Sequence, residues 1–506
     1  MIKVMKAVLL LFLCVPLSGA LPDAVRIDAG LVSGVTDQAT GLRVFKGIPY
    51  AAAPVGDLRW RAPKPAAAWT GTRTANDFSA ACTQTPYPAL SPFRDPNSER
   101  VSEDCLYLNV WTAAQSAADK RPVMVWIHGG ALTRGSGATH YYDGTRFAEH
   151  GVVVVTINYR LGVFGFLAHP ELTKESGRNA SGNYGFLDQI AALEWVQKNI
   201  AAFGGDPGKV TIAGESAGSW SVHALVCSPL AKGLFRGAIG ESGADFAGEP
   251  ELAEAEKAGV RFAQSVGATT LAELRAKPAD ELLRRQRDTS PTVDGWFLPV
   301  QPYEIFAAGK QNDVATLIGS NADEGTAFAP AAIKMESYRQ TAAARYAKRA
   351  DEFLRIYPAS TDAEARAASA AAIRDQVFGW EMRTWARLQT RTGKAPVFLY
   401  YFSQTPPPPL GRILGAYHAS EIQYVFGTLV KTASEADRKL SEAMGAYWTN
   451  FITTGDPNGK NLLKWPAYSE KADLAMELGP QVAPMAVPHK AALDFVDAGM
   501  AEQRKK

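Results

Sequence analysis

Residues 210–226 read VTIAGESAGSWSVHALV. Val210–Ala213 is a short apolar run rich in β-branched residues, the composition of a buried strand. From Ala217 to Val226 the spacing is helical. Between the two lies Gly214-Glu215-Ser216-Ala217-Gly218, a serine framed by glycines at a strand-to-helix junction. This G-x-S-x-G arrangement is the pattern of a nucleophile elbow. Its physics is steric: the serine occupies a strained turn, and glycines without Cβ atoms let strand and helix approach each other. The hydroxyl then projects at the top of a sheet, beside a helix N-terminus that favours negative charge. Such a unit belongs to an alternating strand–helix chain.

Working outward, the alternation recurs. Val123–Ile127, Val152–Ile157, Ala238–Gly240, Thr316–Gly319 and Val397–Phe402 are further strand-like runs. Gly185–Asn199 and Ala436–Ile452 carry helical spacing. The pattern predicts an α/β fold with a large, mostly parallel central sheet flanked by helices. Residues 24–50 predict small antiparallel N-terminal strands. Residues 330–395, rich in alanine and charge, predict a helical insertion or lobe, and Pro406–Pro409 a stiff surface loop. With no repeat and no convincing linker, residues 21–506 are expected to form a single domain.

Composition narrows the function classes. The 506 residues carry 53 Lys+Arg against 51 Asp+Glu, with 46% hydrophobic and 21% charged residues. That is ordinary for a globular protein and excludes a wholly disordered chain. Lys3 and Lys6 account for the whole basic surplus, so nothing resembles the basic stripe of a nucleic-acid binder. Seven histidines and four cysteines are too few and too scattered for a zinc-finger or iron–sulfur framework. Residues 1–20, MIKVMKAVLLLFLCVPLSGA, have a basic start, a short apolar run and small residues at the end. They predict a cleaved signal peptide rather than a membrane span, and an exported protein, periplasmic or secreted. That compartment permits disulfides. Cys82 and Cys105 bracket a polar, proline-containing loop whose closure would contribute about 3 kcal/mol. Cys227 reads as a buried free thiol.

Several longer stretches complete the picture. FGGDPGKVTIAGESAGSWSV (203–222) resembles the serine signature of type B carboxylesterases, the family that includes cholinesterases. SEDCLYLNVW (102–111) resembles their second signature. FKGIPYAAAPVGDLRWRAPKP (45–65), GNYGFLDQIAALEWVQKNI (182–200), SNADEG (320–325), GAYHASEIQYVFG (415–427), YWTNFITTGDPN (447–458) and WPAY (465–468) match as well, in order along the mature chain. The chain resembles a bacterial, para-nitrobenzyl-esterase-like member of this family. The resemblance implies an α/β-hydrolase fold and hydrolysis of small-molecule carboxylic esters through an acyl-serine intermediate, with no metal or organic cofactor. It implies no nucleic-acid partner and no membrane anchor after cleavage of the leader.

The site residues follow from this match together with elementary chemistry. Serine needs a general base within hydrogen-bond reach. His223 lies seven residues beyond Ser216 on the same expected helix, about 10 Å away and too far. His128 precedes the serine in an HGG motif; His140, His150, His169 and His489 read as solvated. His418 matches the family's catalytic histidine and follows the serine, as α/β-hydrolase order requires. Glu324 matches the family's acid. Asp323 is its rival, and on extended backbone only one of two neighbours can face the histidine. Asp188 and Glu421 match recurrent acidic positions and read as structural. His128-Gly129-Gly130-Ala131 resembles the oxyanion loop, so the expected donors are the main-chain N–H groups of Gly130, Ala131 and Ala217. Many members carry glycine where this chain has Ala131, and alanine disfavours positive φ.

The substrate is less legible. Residues 83–104 contain Tyr87 and Phe93 but no tryptophan, which argues against choline esters. The run Arg284-Arg285-Gln286-Arg287-Asp288 reads first as a solvated basic loop. Its alternative reading is an acyl side suited to a carboxylate-bearing group. Two other functions remain open at this point: the same triad acting on an amide, thioester, lactone or polyester, and a non-catalytic binding protein on the same fold. The presence of Ser216, Glu324 and His418 together weighs against the latter.

Overall fold

The computed structural model describes residues 21–505 apart from 89, 90, 92 and 287–289. The expected signal peptide therefore lies outside the described residues, as do Arg287 and Asp288.

The main sheet has eleven strands. In chain order they are β1 (Val35–Thr36), β2 (Arg43–Pro49), β3 (Tyr107–Thr112), β4 (Arg121–Ile127), β5 (Val153–Ile157), β6 (Gly205–Glu215), β7 (Gly237–Glu241), β8 (Ala315–Asn321), β9 (Val397–Phe402), β10 (Leu474–Leu478) and β11 (Val482–Ala486). Their spatial order is β11-β10-β9-β8-β7-β6-β4-β5-β3-β2-β1. Pairing is parallel from β10 through β5 and antiparallel at both ends. Strands covered on both faces have no polar side to show, which is why the VVVTI of β5 is buried throughout.

The helices that cover the sheet are α1 (Tyr184–Asn199), α2 (Ala217–Cys227), α3 (Trp380–Thr392) and α4 (Glu435–Thr454). Alternation along β4 sorts the two faces. Val123, Val125 and Ile127 share one core with Leu193 of α1, Leu225 of α2 and Trp385 of α3. Met124 and Trp126 share the other with Met444 and Trp448 of α4. β4 and β6 run parallel, but the chain steps from β4 to β5 on one side and from β6 to β7 on the other, so the crevice outside their carboxyl ends is the topological switch point where such sheets bind ligands.

Three expectations need adjusting. Ala24–Ile27 and Gly30–Ser33 do form a small antiparallel pair, but Arg43–Pro49 belongs to the main sheet as β2. The strand Tyr107–Thr112, whose Tyr, Val, Trp and Thr are good strand formers, and the hairpin β10–β11 are additions to the strand-like runs read from the sequence. LAMEL is composed of weak strand formers, and β11 carries Pro484, tolerable because it lies at the sheet edge. In the Ala-rich region, helices Met335–Tyr346, Ala350–Ile356 and Asp362–Ile373 pack around Tyr338, Phe353 and Phe495 as a small separate core, whereas α3 packs on the sheet. Among the described residues no helix is long and apolar enough to cross a membrane.

Candidate active site

Ser216 follows directly on β6, with φ 56° and ψ −123°. This sparsely populated conformation costs about 1–3 kcal/mol and persists only where the surroundings impose it. The surroundings do so closely. The Ser216 N–H donates to the Glu241 carbonyl at the end of β7 (2.8 Å), and the Ser216 carbonyl accepts from the Trp220 N–H (2.8 Å). A Cβ on Gly214 would lie 2.5 Å from the carbonyl carbon of Gly218, and one on Gly218 would collide with the Ile127 carbonyl oxygen. The two glycines are what lets α2 start so near β4.

At the end of β4 the chain turns through three positive-φ residues, Gly130 (106°), Ala131 (55°) and Leu132 (56°). The Gly130 carbonyl accepts from the N–H groups of both Thr133 and Arg134 (3.0 Å each). Alanine thus adopts the conformation it disfavours, held by this turn. Among the described residues, none accepts a hydrogen bond from the N–H of Gly130, Ala131 or Ala217. His128 supports the turn from below. It is buried, its Nδ1 lies 2.8 Å from the Gly129 carbonyl oxygen, and its ring stacks on Tyr159. Burial pushes its pKa down to about 4.

The other two expected residues come from the ends of β8 and β9. Glu324 opens a short 3₁₀ turn after β8, and His418 lies on the loop after β9. His418 Nδ1 is 2.6 Å from Glu324 Oε2, with both side chains buried. Glu324 Oε1 accepts from the Asn321 N–H (2.8 Å), so the carboxylate is held at both oxygens. Asp323 does not compete. Its Oδ2 accepts from the Ala416 N–H (2.8 Å) and secures the histidine loop. The two acids diverge because the chain turns here (Asp323 φ −122°, ψ 32°), not through the extended alternation that the sequence suggested. Phe328 and Phe378 pack on the imidazole at 4.9 and 4.7 Å.

Beneath this pair lies a group of buried carboxyls. Glu215 Oε1 is 3.1 Å from His418 Nε2. Its pKa is pushed well above the ordinary carboxylate value, first by burial and then by the charges of Glu324 and Glu241. Glu241, whose Oε1 accepts from Trp448 Nε1–H (2.8 Å), is raised to about 8 by burial. Glu421 accepts from the Asn321 side-chain amide and is likewise raised by burial and its acidic neighbours. The sequence singled out Glu421 as structural but gave Glu215 no separate role.

Ser216 and His418 line one cavity of about 280 Å³, together with Gly129, Gly130, Ala131 and Glu215. Tyr87, Phe93, Tyr141, Tyr142, Phe328 and Tyr417 form much of its wall. Tyr87 and Phe93 arrive on the loop closed by the disulfide Cys82–Cys105. The Gln84 side chain staples that loop to the β4 turn, donating to the Gly135 carbonyl and accepting from the Gly135 N–H (2.8 Å each). Tyr417, Ala419, Ile422 and Gln423 come with the histidine's own stretch, 415–427, whereas Thr139, Tyr141, Tyr142 and Phe328 lie outside every quoted motif.

Other candidates fall elsewhere. His223 is buried against Phe246, Phe306 and Trp385, and burial lowers its pKa to about 3. Asp188 makes a buried bidentate pair with Arg160 (2.7 and 2.8 Å). Cys227 is a buried free thiol. Arg284 pairs with Asp280, and neither Arg284 nor Arg285 lines the cavity. Of the four histidines read as solvated, His169 is instead buried and caps the helix Pro170–Glu175. His140, His150 and His489 are exposed, each within hydrogen-bond reach of one partner: Asp95, the Arg146 carbonyl and Tyr401.

A mostly parallel sheet with a G-x-S-x-G serine turn and a histidine–carboxylate pair at its switch point defines an α/β-hydrolase. Comparison with known proteins specifies which one. The model of the Carboxylesterase family matches residues 22–496. The fumonisin B1 esterase of Sphingopyxis macrogoltabida is 39% identical over 490 residues, covering 91% of this chain and 87% of that protein. The para-nitrobenzyl esterase of Bacillus subtilis (strain 168) is 37% identical over 475 residues, covering 88% and 93%. A solved thermophilic PNB esterase superposes with a TM-score of 0.82 at 33% identity, covering 94% of this chain and 99% of that one. The chain belongs to the Carboxylesterase family and is a serine carboxylic ester hydrolase.

Proposed function

We propose that Ser216, His418 and Glu324 are the catalytic triad, and that the N–H groups of Gly130, Ala131 and Ala217 form the oxyanion hole. Ester hydrolysis then proceeds in two halves. Ser216 Oγ attacks the carbonyl carbon while His418 Nε2 takes its proton. Glu324 accepts from His418 Nδ1–H, fixing the tautomer and stabilising the imidazolium. The tetrahedral oxyanion draws on the three main-chain donors, of a kind worth about 3–4 kcal/mol each. Collapse expels the alcohol, protonated by His418, and leaves an acyl-serine. Water, deprotonated by His418, attacks the acyl carbon and releases the acid.

The observation that carries this reading is the 2.6 Å contact between His418 and Glu324 at the wall of the cavity that also contains Ser216. The disulfide Cys82–Cys105 supports export, with residues 1–20 removed as a signal peptide and the enzyme working in the periplasm or outside the cell. Ser216→Ala is expected to lower turnover of a short aryl ester by on the order of 10⁵-fold while the melting curve stays unchanged. An organophosphate is expected to label Ser216, read by peptide mapping. Full turnover in the variant, or label on another residue, would discard the assignment.

A further inference from the structure

The cavity wall contains a cation that the proposed chemistry does not use. Arg134 lies four residues beyond Gly130 on the β4 turn and lines the cavity. Among the described residues, its guanidinium has no carboxylate partner and no hydrogen-bond acceptor; its one recorded side-chain contact is the Tyr87 ring, with Cζ 5.5 Å from the centroid. Other half-buried or buried arginines of this chain have carboxylate partners, as Arg59 with Glu103, Arg160 with Asp188, and Arg383 with Asp473 and Asp494, or donate to oxygens of the protein, as Arg43 to the Pro22 and Asp23 carbonyls, Arg146 to Ser441 and Arg236 to the Ile452 and Thr453 carbonyls.

Nothing on the cavity wall balances the charge. Glu215 is its one acidic residue among the described residues, and it is buried behind Ser216 in surroundings that favour its neutral form. The root of the side chain is also fixed. The Arg134 N–H is bonded to the Gly130 carbonyl, and the next residue, Gly135, is clamped by the Gln84 amide. A planar guanidinium held over an aromatic ring, with no acceptor for its N–H groups among the described residues, is prepared for a carboxylate, which it can bind through two parallel hydrogen bonds.

We infer that Arg134 selects esters that carry a free carboxylate, such as half-esters of di- and polycarboxylic acids. The inference rests on the triad reading and names a substrate class for that site. The carboxylate docks on Arg134 while the ester carbonyl sits at Gly130 and Ala131. A cationic ester is repelled by the same group.

Phenyl hydrogen adipate and phenyl hexanoate have the same acyl length and differ in a terminal carboxylate. The expected result is a fall of about tenfold or more in the acidic-to-neutral ratio of kcat/KM on Arg134→Ala, carried by KM. Arg134→Lys should restore part of the ratio, and Arg134→Glu should depress it further. In a Ser216→Ala background, calorimetry with phenyl hydrogen adipate should show binding that weakens on adding Arg134→Ala. A ratio unchanged by all three substitutions, or turnover of neither ester by the wild type, would overturn the inference. An unchanged ratio with turnover abolished by Ser216→Ala would leave the triad standing. A ratio that responds to Arg134 while Ser216→Ala stays active would remove the triad and keep the carboxylate site.

Discussion

Two walls of the same cavity are built on different principles. The inner wall, the turns after β4 and β6, is fixed by main-chain packing: glycines in contact with backbone, positive-φ residues held by carbonyls, and buried carboxyls below. The outer wall, the loop between Cys82 and Cys105, is tied at its base by one disulfide and, among the described residues, to the chain after β4 by side chains: Gln84 on Gly135, Asp95 on His140 and Asn97 on the Ala138 carbonyl. Chemistry that tolerates little displacement sits on the inner wall. The aromatic surface of Tyr87 and Phe93 sits on the outer one. The difference teaches that the two walls should respond to substitution in different kinetic constants.

Removing the tether tests this most strongly. Cys82→Ser with Cys105→Ser is expected to lower the unfolding free energy by about 3 kcal/mol, because the loop's closure entropy is no longer removed from the unfolded chain. A urea titration measures this. In the folded fraction KM should rise more than kcat falls. Equal losses in both would mean that the outer wall also positions the inner one.

The sequence revealed the inner wall far better than the outer. The elbow and the HGG turn are local: strand, turn and helix are contiguous, and their glycines carry the steric requirement in the residue type itself. Glu324 and His418 are 94 residues apart and were found through their motifs; the contact itself depends on the register of β8 and β9. The outer wall has no such code. Tyr87 and Phe93 look like any loop aromatics until the topology brings their loop to the crevice. Charge misled in the same way. The run at Arg284 stands out in the sequence, yet Arg284 is engaged by Asp280 one helical turn away, whereas Arg134, a single base in its stretch, lines the cavity with no carboxylate partner among the described residues.

A smaller effect probes the floor of the inner wall. Glu241 accepts from the Trp448 indole, and its backbone holds Ser216 in place. Burial raises its pKa from an ordinary 4.5 to about 8. Between those values the folded state holds a proton that the unfolded state has lost, so this contribution is complete below pH 4.5 and disappears as pH rises through about 8. Glu241→Gln keeps an acceptor for Trp448 and cannot titrate. Its stability should fall less steeply than that of the wild type between pH 5 and pH 8, by up to about 1.4 kcal/mol per pH unit. Chemical denaturation at several pH values measures it, and parallel slopes would show that Glu241 is ionised in the folded enzyme.

The smallest effect lies at Ala131, where the inner wall carries a residue ill suited to its conformation. The φ of 55° brings the alanine Cβ close to its own carbonyl oxygen, at a cost of about 1 kcal/mol relative to glycine. The residue is exposed, so no packing compensates. Ala131→Gly removes the Cβ, leaves the N–H, and is expected to raise the unfolding free energy by about 1 kcal/mol, read from the urea midpoint. Turnover of an aryl ester should stay within a few-fold, because the carbonyl of Gly130 still holds the turn through Thr133 and Arg134. If main-chain packing alone fixes the inner wall, kcat is indifferent to this methyl group. A kcat that drops tenfold or more while stability rises would mean that the alanine itself narrows the motion of the donor, making a side chain part of a wall otherwise built from backbone.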